Sequence, residues 1–216
     1  MKKCVLFDLD GTLLSTLDSI LYHLNRTLSN HGLVEITLAE CAEFIGNGAK
    51  KLVTRAVRKS GVTDEDVVQS VLTKYNHAYN SDPLPLTVPY DGICELVDKL
   101  YLDGVLLGVI TNKPEPTAKQ LVEHFFPGMF LVVKGGRIGA VLKPDPKESL
   151  DALSLMGVES SECVFVGDTS VDIETGKNIG AAMSVGVSWG FRSRDSLVLA
   201  GADVVIDTPC ELIKLI

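Results

Sequence analysis

Phe7-Asp8-Leu9-Asp10-Gly11-Thr12-Leu13 ends the first apolar run of the chain, and its reading decides the rest. Cys4-Val5-Leu6-Phe7 is apolar throughout and rich in β-formers, which predicts a short buried strand. A carboxylate beside such a strand is costly to bury unless a cation or hydrogen bonds compensate it. Asp8 and Asp10, one residue apart on an extended segment, point to the same side, because side-chain direction repeats every two residues. Like charges so placed repel, and a divalent cation is the natural compensator. Gly11 lets the backbone turn tightly and offer N–H groups to an incoming anion. The same stretch also reads as a strand closed by an Asx-type turn, a common use of Asp-Gly.

Three further patches weaken that second reading, each placed beside a hydrophobic run or a helical pattern. Val105–Ile110 ends in Thr111-Asn112-Lys113, Lys143-Pro144-Asp145-Pro146 precedes a helical pattern, and Cys163–Val166 ends in Gly167-Asp168 with Asp172 beyond. Singly they read as a helix cap, a surface turn and a loop. Together they supply carboxylates, a hydroxyl and a lysine at the carboxyl ends of strands, where open α/β sheets bind ligands.

Alternation sets the organisation. Apolar β-like runs at 4–8, 105–110, 130–134, 163–167, 183–187 and 203–206 alternate with helical patterns near 91–103, 115–125, 146–156, 171–179 and 193–200. This predicts a Rossmann-like parallel sheet with helices on both faces. Gly104, Gly157 and Gly180 stand where helices should stop. Between Thr16 and Ser81 helix follows helix, with 49–60 and 64–79 the clearest, and 81–89 reads as a stiff proline-rich return. The expected division is a catalytic core of residues 1–15 and 82–216, with an inserted all-helical cap of residues 16–81.

In these motifs the chain resembles the haloacid dehalogenase-like hydrolases, and within them the phosphoglycolate phosphatase group. The resemblance rests on Asp8-Leu9-Asp10-Gly11-Thr12, Thr111-Asn112, Lys143-Pro144 and Gly167-Asp168-Thr169-Ser170-Val171-Asp172. Phe44-Ile45-Gly46-Asn47-Gly48-Ala49 is similar to the group's cap loop, and Pro89-Tyr90-Asp91-Gly92 to its return into the core. Ser15-Thr16 departs from the Asp-Ser of many relatives, at the hinge and beyond the paired aspartates.

The resemblance implies a Mg²⁺-dependent phosphatase with Asp8 as nucleophile, passing through an aspartyl-phosphate. It makes Asp10 the acid and base, and it places Mg²⁺ on Asp8, Asp168 and the Asp10 backbone carbonyl, with Asp172 a supporting or water-bridged ligand. Thr111, Asn112 and Lys143 would hold the phosphoryl oxygens together with backbone N–H groups after Asp8, and Lys143 bridges nucleophile and phosphate. Lys113 is expected to face solvent. Gly46-Asn47-Gly48 and Lys50 form a candidate substrate-binding loop at a helix start, against the alternative of a glycine turn with a solvated basic face. The best single substrate is 2-phosphoglycolate. The core motifs do not separate it from inorganic pyrophosphatase or sugar-phosphate phosphatase or mutase activity.

Composition narrows the setting. A formal net charge of −8 argues against binding nucleic acid or an anionic membrane. No apolar run is long enough to cross a bilayer, and the start meets Asp8 too soon for a secretory leader. The five cysteines form no CxxC pair and read as reduced packing residues of a cytoplasmic protein, monomeric or homodimeric. Gly135-Gly136-Arg137-Ile138-Gly139 reads as a turn, there is no P-loop, and the four histidines sit near no motif, solvated or half-buried. Trp189, Phe191 and Arg192 suit either the site rim or packing. A phospho-receiver domain would carry its acceptor on a later strand and needs no inserted cap; a dehalogenase needs neither Mg²⁺ nor an acid at Asp10.

Overall fold

Every residue of the first strand, β1 (Cys4–Phe7), is buried. Successive side chains point to opposite faces, so the sheet is covered on both sides. The computed structural model describes residues 3–137 and 140–216. After β1 come β2 (Leu14–Ser15), α1 (Leu17–Asn30), α2 (Leu38–Phe44), α3 (Ala49–Lys59), α4 (Glu65–Ser81) and β3 (Val88–Pro89). The chain then alternates through α5 (Ile93–Leu102), β4 (Leu106–Pro114), α6 (Glu115–Phe125), β5 (Val132–Gly136) and α7 (Lys147–Met156). It continues through β6 (Cys163–Gly167), α8 (Ser170–Asn178), β7 (Met183–Val187), α9 (Arg194–Leu199) and β8 (Val204–Ile206).

Six strands form one sheet in the order β5-β4-β1-β6-β7-β8, with all neighbours parallel. This is the parallel α/β sheet that the alternation predicts. Cys4 and Leu6 of β1 and Phe165 of β6 pack with Ala152, Leu153 and Met156 of α7. Ile173, Leu197 and Val205 form a second cluster joining α8, α9 and β8. The strand order reverses direction across β1, and the carboxyl ends of β1, β4 and β6 meet at that switch point.

The chain divides into two compact units, Met1–Ser15 with Pro89–Ile216, and Thr16–Val88. The second crossing thus falls at Val88–Pro89, seven residues beyond the Ser81–Asp82 boundary expected from sequence. The return segment is tied to its helices: Asp82 O accepts from His23 Nε2 at 3.0 Å, and Thr87 Oγ1 donates to Pro83 O at 2.8 Å. His23 is therefore buried rather than solvated, and burial holds its imidazole below the usual range. A carbonyl only accepts, so Nε2 carries the proton.

Two local expectations fail. β4 runs on through Thr111, Asn112 and Lys113 instead of ending at Ile110. Gly135 and Gly136 end β5 rather than forming a turn, while Ile138 and Gly139 of that reading lie outside the described residues. One cause serves both. A Cβ on Gly135 would collide with the Lys113 carbonyl and the Glu115 backbone, so glycine is what lets β5 follow β4 to its end. Of the cysteines, Cys4, Cys41 and Cys163 are buried, whereas Cys94 and Cys210 are exposed.

Gly135→Ala should therefore cost about 1–3 kcal/mol, the range of overpacking. Gly180→Ala, with a φ of +69° but open space around it, should cost only about 1 kcal/mol. Urea unfolding of the two variants measures the difference, and equal losses would contradict the close approach at Gly135.

Candidate active site

Asp8 follows β1 directly, and its backbone N–H donates to Val166 O of β6 at 2.9 Å. Asp168 follows β6, and Asp172 lies in the first turn of α8. Asp8, Asp168 and Asp172 are all buried, with ligand oxygens within 4.8 Å of one another. Lys143, from the segment before α7, enters this cluster with its side chain 4% exposed. Its Nζ lies 2.7 Å from Asp8 Oδ1 and 2.6 Å from Asp172 Oδ1. Asp8 Oδ1 is buried and meets this ammonium in an ion pair, with no further partner among the described residues.

Asp172 is committed on both oxygens. Oδ2 accepts from the Thr169 backbone N–H at 2.9 Å and from Thr169 Oγ1 at 2.6 Å, the capping box that starts α8. Asp168 accepts from Thr12 Oγ1 at 3.2 Å and from the Phe191 N–H at 2.8 Å. Thr12 is held in turn by Trp189 Nε1, which donates to its carbonyl at 3.0 Å. Trp189 and Phe191 thus support the acidic cluster from the loop after β7. Arg192 Nη1 donates to the carbonyl of Phe191, its immediate neighbour, at 3.3 Å. Thr12 stands in the quoted motifs, but its partner lies beyond another strand and leaves no trace in local spacing, whereas the Thr169–Asp172 spacing is itself a capping-box signal.

Gly11 has a φ of +86°, and a Cβ there would strike the Asp168 carboxylate and the Phe191 ring. Its role is close approach. Its own N–H and that of Thr12 are spent inside the loop, on Leu14 O at 2.9 Å and Leu9 O at 3.3 Å. The expected presentation of those two N–H groups to an anion is therefore not what Gly11 provides.

The end of β4 serves two partners. Asn112 Oδ1 accepts from the Lys143 N–H at 2.8 Å and its Nδ2 donates to Lys143 O at 3.3 Å, so its amide orients Lys143. Thr111 is buried and its Oγ1 accepts from the Lys113 N–H at 3.2 Å. Lys113 does not face solvent. Its side chain is 3% exposed and its Nζ lies 2.8 Å from Asp10 Oδ1. A strand pattern continued past Ile110 places Thr111 and Lys113 on one side, which is the signal that would have found it.

The loop residues of the helical unit are organised separately. Gly46 and Gly48 take φ values of +109° and +83°, and Gly48 caps α3 without a side-chain bond. Arg55 donates to Asn47 Oδ1 at 3.2 Å and to Phe44 O at 2.6 Å, fixing the loop against α3, while Lys50 is exposed.

Electrostatics state what the cluster lacks. Burial pushes the Asp8 carboxyl up to about 7 despite Lys143, with Asp172 and Asp10 adding to the rise. Burial, then Asp172 and Asp8, drive Asp168 well above the usual carboxylate range. Burial pulls Lys143 down, but Asp172 and Asp8 outweigh it and hold the ammonium charged. Three buried carboxylates face one ammonium, and carboxylate oxygens are hard ligands. This set fits a divalent cation of the oxygen-seeking kind.

A family profile described as haloacid dehalogenase-like hydrolase matches residues 5–185. The chain belongs to this family. It is 36% identical to a phosphoglycolate phosphatase of Rhodospirillum rubrum over 96% of this chain and 88% of that protein. It is 32% identical to an N-acetylmuramic acid 6-phosphate phosphatase of Pseudomonas aeruginosa, over 99% and 94% of the two chains. A solved structure described as a predicted phosphoglycolate phosphatase from Haemophilus somnus superposes with a TM-score of 0.91 at 25% identity, covering 99% of this chain and 97% of the other. With such relatives along nearly its whole length, the chain is an enzyme of the phosphatase type. Among the described residues no helix is long and apolar enough to cross a membrane.

Without a cation, an Asp8 carboxyl raised to about 7 favours the folded state below the ordinary carboxylate range, and that contribution is lost as pH rises toward 7. A divalent cation replaces the proton, so its stabilisation should grow across the same window. The rise in Tm on adding Mg²⁺ to EDTA-treated protein should be larger at about pH 7.5 than at about pH 5, since carboxylate ligands must be ionised. An increment independent of pH would disprove binding at these carboxylates.

Proposed function

We propose that this phosphatase hydrolyses a small phosphomonoester, with 2-phosphoglycolate the first candidate, using Asp8 as nucleophile. The observation that carries this reading is the buried set Asp8, Asp168 and Asp172 with Lys143 as its lone ammonium among the described residues. A carboxylate is a ready nucleophile at neutral pH, but it repels a phosphate dianion. Mg²⁺ held by Asp8, Asp168 and the Asp10 carbonyl, with Asp172 behind them, would supply the charge that overcomes this repulsion.

In the first half-reaction an Asp8 oxygen attacks phosphorus, the P–O bond to the leaving group breaks, and Asp10 gives its proton to the departing alkoxide. In the second, water attacks phosphorus and the ionised Asp10 takes its proton. The Asp8 acyl phosphate then breaks, releasing inorganic phosphate and restoring the carboxylate. Lys143 stays beside Asp8 and meets the phosphoryl oxygens together with Thr111. Asn112 acts by orienting Lys143 through its side-chain amide.

Substrate selectivity is assigned to the helical unit, with Gly46, Asn47, Gly48 and Lys50 the residues proposed to meet a small anionic leaving group, and the setting is the cytoplasm. The relative that acts on N-acetylmuramic acid 6-phosphate supports a second reading, a sugar-phosphate phosphatase on the same chemistry.

A panel of 2-phosphoglycolate, N-acetylmuramic acid 6-phosphate, hexose phosphates and pyrophosphate, assayed for kcat/KM with Mg²⁺, decides between the readings. The highest value is expected for 2-phosphoglycolate. Asp8→Asn should lower kcat by several orders of magnitude and EDTA should abolish turnover, because nucleophile and charge compensation are removed together. Wild-type turnover in either case would overturn the mechanism, while preference for a sugar phosphate would overturn only the substrate.

A further inference from the structure

Lys113 is the second buried lysine of the catalytic unit, with its side chain 3% exposed and Asp10 as its carboxylate partner. A buried ammonium needs such a partner, and breaking the pair would leave a charge uncompensated. A purely structural pair has no reason to choose Asp10, whose side chain is 16% exposed and sits one residue beyond Leu9 from the nucleophile's own position. The Lys113 backbone is fixed as well: its N–H donates to Thr111 Oγ1, and Gly135 packs against its carbonyl. The ammonium is thus delivered from a rigid strand end, not from a mobile loop.

We propose that Lys113 is a positioning residue for proton transfer: by taking Asp10 Oδ1 it fixes the carboxylate and leaves Oδ2 to serve the leaving group and then the water. This rests on the role given to Asp10 above. It assigns separate duties to the two buried lysines, Lys143 to the nucleophile and Lys113 to the proton-transfer group.

The two duties have different kinetic signatures. A glycolate alkoxide is a strong base and needs a well-placed proton, whereas p-nitrophenolate departs unaided. A merely structural lysine would lower both reactions alike. Lys113→Met, which keeps an unbranched stem and removes the charge, should slow the phosphorylation of Asp8 by 2-phosphoglycolate in a single turnover roughly 10- to 100-fold, part of the usual general-acid contribution. With p-nitrophenyl phosphate the pre-steady-state release of p-nitrophenolate, which reports phosphorylation of Asp8 alone, should slow by less than about threefold, because binding and nucleophile are untouched and the water step shared by both substrates comes afterwards. Lys113→Arg, which keeps the charge, should recover most of the loss.

Asp10→Asn run in parallel separates the two ideas. If Asp10→Asn discriminates between the substrates and Lys113→Met does not, the positioning role is wrong and the mechanism stands. If Asp10→Asn slows the phosphorylation of Asp8 equally for both, the acid role fails and the inference fails with it. Should Lys113→Met not fold, as judged by thermal melting, the Arg variant decides. An Arg variant that loses both substrates equally overturns the proposal.

Discussion

The ammonium of Lys143, 2.7 Å from Asp8 and 2.6 Å from Asp172, is the constraint on which the catalytic unit depends. Three carboxylates share its buried neighbourhood, and one positive charge cannot neutralise them. Desolvation raises Asp8 and Asp168, and each is raised further by Asp172. Such a cluster is tolerable only where every remaining oxygen has a donor or a cation. Asp168 and Asp172 are provided for by Thr12, Phe191 and Thr169. Asp8 Oδ1 has only the ammonium that it shares with Asp172, and it belongs to the residue proposed as nucleophile.

Holding this charge imbalance requires backbones to approach unusually closely. A Cβ at Gly11 or Gly190 would strike Asp168, and one at Gly167 would strike Asp172. Three separate loops, after β1, β6 and β7, press their main chains around the same carboxylates. Trp189 locks the arrangement by reaching back to the Thr12 carbonyl. The resulting rigidity has a chemical purpose: donors already aimed at the charge need no reorganisation when the reaction proceeds.

The residues proposed to handle the phosphoryl group lie entirely in one unit, while those proposed to read the leaving group lie in the helical one. The curated relatives fit that separation, since proteins named for phosphoglycolate and for N-acetylmuramic acid 6-phosphate share about a third of their residues with this chain. Transfer of phosphate demands the same charges whatever the leaving group is. Recognition of the leaving group makes no such demand, and its residues are free to differ.

What the sequence by itself determined is what depends on short-range pattern. Alternating apolar runs specified the parallel sheet, because a strand buried on both faces must be apolar throughout. Asp8, Asp168, Asp172 and Lys143 were legible because charged residues at the ends of such strands are too costly to be incidental. The tertiary structure alone decided which charge meets which. Lys113 read as solvent-facing, beyond an apolar run that ends at Ile110, whereas Gly135 allows β5 to accompany β4 past it. Asn112 read as a phosphate ligand, yet its amide is spent on Lys143, 31 residues away. Pairings over such separations are set by the packing of whole elements, and nothing in local composition records them.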